Sequence, residues 1–180
     1  MKNCQKRSNM QPEEVVARVQ KKAKDLFKTG LNCAECVLEA VLSEVATGLP
    51  LESMCLMTGF GAGMGHFGDT CGALSGGIAA LGAVYGRRGI PISPKASREQ
   101  MHGNPGLYQL FNRLPNEFQQ RFGSTQCRVL TGPWKTNWLC RDHIKFCRNL
   151  VIQMAGLTAE MAVPQDLNRW GSEPFGRKHP

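Results

Sequence analysis

No lysine or arginine occurs between residues 31 and 86, although the whole chain carries 22 of them against 14 Asp and Glu, for a net charge of +8. That segment holds five acidic residues, whereas residues 1–30 carry eight bases against three acids and residues 87–146 carry ten against three. The basic charge therefore flanks an acidic-to-neutral middle. Zinc-finger, RNA-binding and helix-turn-helix signatures are all missing, so the charge points to solvated helix faces or an acidic protein partner, and not to nucleic acid. Long apolar runs are missing too. The longest, residues 73–84, is glycine-rich and too short for a bilayer, which needs about 20 residues, so no membrane span is expected. The opening MKNCQKRSNMQPEEVV lacks an apolar h-region, and the cytoplasm is the expected compartment. Structural disulfides are rare there, so the eight cysteines are expected to stay reduced or to bind metal. No Ser/His/Asp arrangement or paired-carboxylate signature suggests hydrolytic chemistry.

What is present is helical periodicity. Pro12, Glu13 and Glu14 open a helix whose stripe is Val15, Val16, Val19, Ala23, Leu26 and Phe27, and Gly30 stops it. Asn32, with Glu35 three residues on, predicts a capping box at the start of a second helix ending near Gly48. A shorter helix from Pro50 through Leu56 leads into a glycine-crowded loop, residues 59–68. Thr70 reads as the N-cap and Cys71 as the first residue of a Gly/Ala helix. Its stripe of small residues (Gly72, Gly76, Ala79, Ala80, Ala83) predicts close packing at the centre of a bundle.

Residues 86–106 read as loop. Residues 107–122 read as a helix kinked or split at Pro115. Ser124 then caps a short turn bearing Cys127, and a last helix runs from about Leu139 to Met161 with Ile144, Cys147, Val151 and Met154 on its buried face. No strand pattern or internal repeat is visible. The expected fold is all-α, a single-domain bundle of about five to six helices over residues 12–163, with flexible tails at 1–11 and 164–180.

Cys33, Cys71, Cys127 and Cys140 each fall in the first turn of a predicted helix, where unpaired N–H groups and the helix dipole favour anionic sulfur. Cys33 and Cys36 also form a C-x-x-C pair, a placement used by dithiol oxidoreductases, though without the βαβ context that usually accompanies it. Residues 63–68, GMGHFG, match G-x-G-x-x-G, but no strand precedes them, so a dinucleotide site is not expected. The glycines instead suit close backbone approach to a cluster or to the sulfur of Cys71. Cys147 and Cys55 read as core and Cys4 as a tail thiol. His66 reads as a loop histidine, and His143 as either a thiolate partner or an interfacial residue. Met54, Met57 and Met64 read as packing.

The elements GLNCAE (30–35), GFGAGMG (59–65), TCGALSG (70–76) and RFGS (121–124) with Cys127 resemble the C_GCAxxG_C_C family of redox-active proteins, over about residues 15–155. The resemblance implies four functional cysteines, which map to Cys33, Cys71, Cys127 and, as the best fourth match, Cys140. Cys36 and Cys147 depart from the pattern. Some relatives resemble split-Soret cytochromes, which implies electron transfer and an iron–sulfur centre.

Three function classes follow, in this order. The first is a non-enzymatic electron carrier whose Cys33, Cys71, Cys127 and Cys140 hold a [2Fe–2S] or [4Fe–4S] cluster. In it, N–H groups near Gly72 tune the potential, and an acidic electron-transfer protein docks on the basic flanks. The second is a thiol oxidoreductase in which Cys71 attacks and Cys33 or Cys36 resolves. The third is a structural Cys4 zinc module. A homodimer is left open.

Overall fold

The computed structural model describes residues 11–45, 47–164 and Asp166. Nearly all of the two tails assigned from sequence lies outside these residues. The elements are α1 (Pro12–Lys28), α2 (Cys33–Glu44), a 3-10 stretch (Leu51–Phe60), the short turn α3 (Gly61–Met64), α4 (Gly72–Tyr85), α5 (Pro94–His102), α6 (Leu107–Phe122), α7 (Cys127–Leu130), a 3-10 turn (Gly132–Trp134) and α8 (Arg141–Ala162). The fold is all-α, as the periodicity requires. Among the described residues no helix is long and apolar enough to cross a membrane.

Helix α4 is central and packs against α2, α6 and α8. Its small residues make this possible. A Cβ built on Gly77 would lie 2.8 Å from Thr158 Oγ1 and 3.0 Å from Leu114 Cδ2, and one on Gly76 would run into the Ala34 carbonyl. Around it, α1 and α2 contribute fully buried Val19, Val37 and Val41, α6 contributes Leu110, Leu114 and Phe118, and α8 contributes Val151 and Met154. Burying a side chain of this size is worth about 1.5–3 kcal/mol, so this interlocked layer fixes where the helix starts lie.

Several local expectations need correction. Residues 94–102 are helical, with Ser93 Oγ accepting from Ala96 N at 3.1 Å and Pro94 at the first position. Helix α6 runs through Pro115 without splitting. The stretch after Pro50 is 3-10 and extends to Phe60, and its three-residue turn leaves Cys55 exposed, not in the core. The N-cap of α4 is Cys71 itself, one residue after the position expected. On α8, Ile144 is 42% exposed, and His143 is buried in its place.

Candidate redox site

The capping box at α2 is present. Asn32 Oδ1 accepts from Ala34 N and Glu35 N, and Glu35 Oε2 accepts from Asn32 N at 2.8 Å. Glu35 also accepts from Thr58 Oγ1 at 2.7 Å, and Asn32 Nδ2 donates to Thr58 O, which ties the 3-10 stretch to the start of α2. Cys33 is thus held at the first position of a helix that cannot slide.

The chain next reverses its hand. Ala62, Gly63, Met64, Gly65 and His66 all have positive φ, between 51° and 73°. Three of them are not glycine, and each costs about 1–2 kcal/mol in this region. The turn is closed by His66 N–H donating to Gly61 O and Asp69 N–H to Gly63 O. It delivers the Ala62 N–H to the sulfur of Cys33. Neighbouring glycines make room. A Cβ on Gly72 would overlap Cys33 Sγ, and one on Gly63 would lie 2.7 Å from Cys127 Cβ.

Cys71 and Cys127 are joined through the backbone. Cys71 N–H donates to Thr125 O at 2.8 Å, Cys127 N–H to Asp69 O at 2.7 Å and Arg128 N–H to Gly68 O at 2.8 Å, with an antiparallel bridge between Thr70 and Gln126. Thr131 Oγ1 donates to Cys127 O at 2.7 Å and holds the one-turn α7.

Cys33, Cys71, Cys127 and Cys147 line one cavity of about 400 Å³. Phe27, Trp138, Phe146 and Leu150 line it as well, and no Lys, Arg, Asp or Glu does. The fourth thiol is therefore Cys147, in the second turn of α8. Cys140, the expected fourth ligand, caps the start of that helix and does not line the cavity. Cys36 is also outside the cavity, with its S–H donating to Leu31 O at 3.5 Å. Met54, Met57 and Met64 stay outside the lining. Gly72 matters as space for the Cys33 sulfur, while the N–H facing that sulfur across the helix start belongs to Ala73.

His143 supplies a contact that helix-start reasoning does not single out. It is buried between the rings of Trp138 and Trp134, with centroids 4.2 Å and 5.6 Å away. Nδ1 bonds the Trp138 carbonyl, so it carries the proton, and Nε2 faces Cys147 Sγ at 3.3 Å as the acceptor. The spacing of four between His143 and Cys147 is the available signal, since it places both on one helix face.

Burial raises the pKa of all four thiols. Cys147 is pushed up to about 12 by burial and then by its thiol neighbours Cys33 and Cys127. Burial raises Cys71 too, with Cys33 and Cys127 adding to it, while the N–H groups of Ala73 and Leu74 oppose the shift. Cys33 is raised by burial against the opposing N–H groups of Ala62, Cys33, Ala34 and Ala73, and Cys127 by burial and then by Cys33. The helix starts soften the penalty without overcoming it. Helix dipoles alone would favour anionic sulfur, whereas burial holds the protons on these four cavity thiols; all seven described cysteines are free of disulfides.

A family model described as "Putative redox-active protein (C_GCAxxG_C_C)" matches residues 31–161. The chain belongs to this family. The match begins two residues before Cys33 and ends within α8 beyond Cys147, so it spans every thiol of the cavity. Comparison with curated proteins and with solved structures returns no match. Among the described residues no three His, Cys, Asp or Glu side chains are gathered tightly enough to enclose a single metal ion.

Proposed function

We propose that Cys33, Cys71, Cys127 and Cys147 hold an iron–sulfur cluster and that the protein is an electron carrier. The observation that carries this reading is four thiols from four separate segments lining one cavity that no charged side chain enters. Soft thiolate donors suit iron–sulfur chemistry. The absence of a nearby cation means that the four sulfurs can all ionise only when bound metal supplies the positive charge, with protons released as it binds. Backbone N–H groups facing Cys33 and Cys71 are the hydrogen bonds that would set the potential of thiolate-bound iron.

Anaerobic purification followed by iron, sulfide and zinc analysis tests the reading. Equimolar iron and sulfide with a visible chromophore supports it. Metal-free protein with a reversible disulfide among the four thiols overturns it.

A second reading rests on the His143–Cys147 contact. In it Cys147 loses its proton to Nε2 and attacks an oxidised disulfide, and a neighbouring cavity thiol resolves the mixed disulfide. Two thiols thereby become one disulfide while the substrate disulfide is reduced to two thiols. Cys36 lies outside the cavity, which favours a cavity thiol over it as the resolving partner.

A further inference from the structure

The cavity opens between residues that a folded protein usually hides. Leu139 and Ile144 line it yet are 81% and 42% exposed. Further contacts lead away from the mouth. His66 sits edge-on against Trp138 with centroids 4.7 Å apart, and the next residue, Phe67, is 74% exposed. Gly68 abuts Arg128, and Val129 beside it is 57% exposed. Leu139 and Ile144 thus leave apolar surface open at the mouth, and Phe67 and Val129 are exposed in the segments next to His66 and Arg128. The segment that supplies Cys127, Trp138, Leu139 and Ile144 to the cavity is basic. Residues 127–148 carry five bases and one acid, Asp142. Of these bases Arg128, Lys135, Arg141 and Lys145 are exposed, and none joins an ion pair among the described residues.

The same face has an aromatic connection to the thiols. Exposed His66 touches Trp138, Trp138 packs tilted against His143 with centroids 4.2 Å apart, and His143 Nε2 reaches Cys147 Sγ at 3.3 Å.

We propose that the rim around Trp138 is the docking face for an acidic one-electron carrier protein, which exchanges its electron with the thiol-lined site through the Trp138–His143 ring pair. This rests on the cluster reading for its electron acceptor. One electron leaves the reduced carrier and one arrives at the site, with no bond broken and no proton moved. An acidic surface complements these exposed bases, whereas a second copy of this chain, also at +8, would bring like charge to them. An anionic lipid surface would satisfy the bases but place no redox group beside Trp138.

An acidic plant-type [2Fe–2S] ferredoxin is the probe, with a basic cytochrome c as its counterpart. Calorimetric binding to the full chain, metal-free and iron-loaded, should show ferredoxin bound with affinity falling about tenfold or more between about 20 and about 200 mM salt. Cytochrome c should not bind. The Arg141→Glu/Lys145→Glu variant should lose about tenfold or more of the ferredoxin affinity with its iron content unchanged. With carrier at saturation, Trp138→Leu should slow electron transfer without weakening binding, and Trp138→Phe should restore the rate. Equal ferredoxin binding by the charge-reversed variant overturns the proposal. So does equal binding of cytochrome c, or tighter binding to phosphatidylglycerol vesicles than to ferredoxin. An unchanged rate in Trp138→Leu overturns the ring path. Binding by metal-free protein is read separately from iron content, so failure of the docking face and failure of the cluster reading are distinguishable.

Discussion

The imidazole Nε2 of His143 lies 3.3 Å from the sulfur of Cys147, one turn further along the same helix. Because Nδ1 is committed to the Trp138 carbonyl, one ring both orients a cavity thiol and secures the loop before α8. Replacing His143 by Leu removes both bonds and leaves the Trp138 carbonyl without its partner. The expected loss is about 1–3 kcal/mol, read from urea unfolding of the metal-free protein.

Cys147 and Cys140 separate by iron retention. Cys147→Ser should reduce iron to a small fraction of the parent protein's, because it removes a sulfur from the cavity wall. Cys140→Ser, which alters only the N-cap of α8, should leave iron content unchanged. The reverse result would return Cys140 to the site.

Gly72→Ala forces a methyl into the volume of Cys33 Sγ and should cost about 1–3 kcal/mol while displacing that sulfur. Gly82→Ala, on the same helix, meets nothing within 4 Å and should stabilise by about 0.5–1 kcal/mol. Thermal unfolding of the pair distinguishes a site glycine from a helical one.

The left-handed turn predicts an unusual gain. Ala62 has φ 51°, and glycine adopts that conformation freely. Ala62→Gly should therefore stabilise the metal-free protein by about 1 kcal/mol, as measured by denaturant titration.

Alkaline pH should weaken the metal-free protein. The folded state holds the thiol protons of Cys36 and Cys147 up to about 12, against an ordinary value of 9.0. The unfolded chain releases these protons first, so the stability they confer is complete below 9.0 and declines as pH rises toward 12. A midpoint temperature that stays flat from pH 8 to 11 would contradict this account.

Local signals were readable in the sequence where they are self-contained. Asn32 and Glu35 form their capping box from four consecutive residues, and the small residues of α4 announce its central packing. Three cavity thiols, Cys33, Cys71 and Cys127, were readable because each stands at a helix start. Cys147 was not, because its apolar stripe is the same whether it faces a core or lines a cavity. The left-handed turn was hidden for a different reason. Ala62, Met64 and His66 have no preference for positive φ, and only the surrounding tertiary structure imposes it. Helix α5 was obscured by Pro91, Ser93 and Pro94, which suggest a break although Ser93 and Pro94 form a helix start.

The backbone ties between residues 68–71 and 125–128 also dictate an order of events during synthesis. Cys71 and Cys127 cannot take up their positions until α4, α5 and α6 have all been made and the two segments have met. Cys147 comes later still, on α8. A growing chain thus offers only an incomplete set of these four sulfurs until α8 has been made.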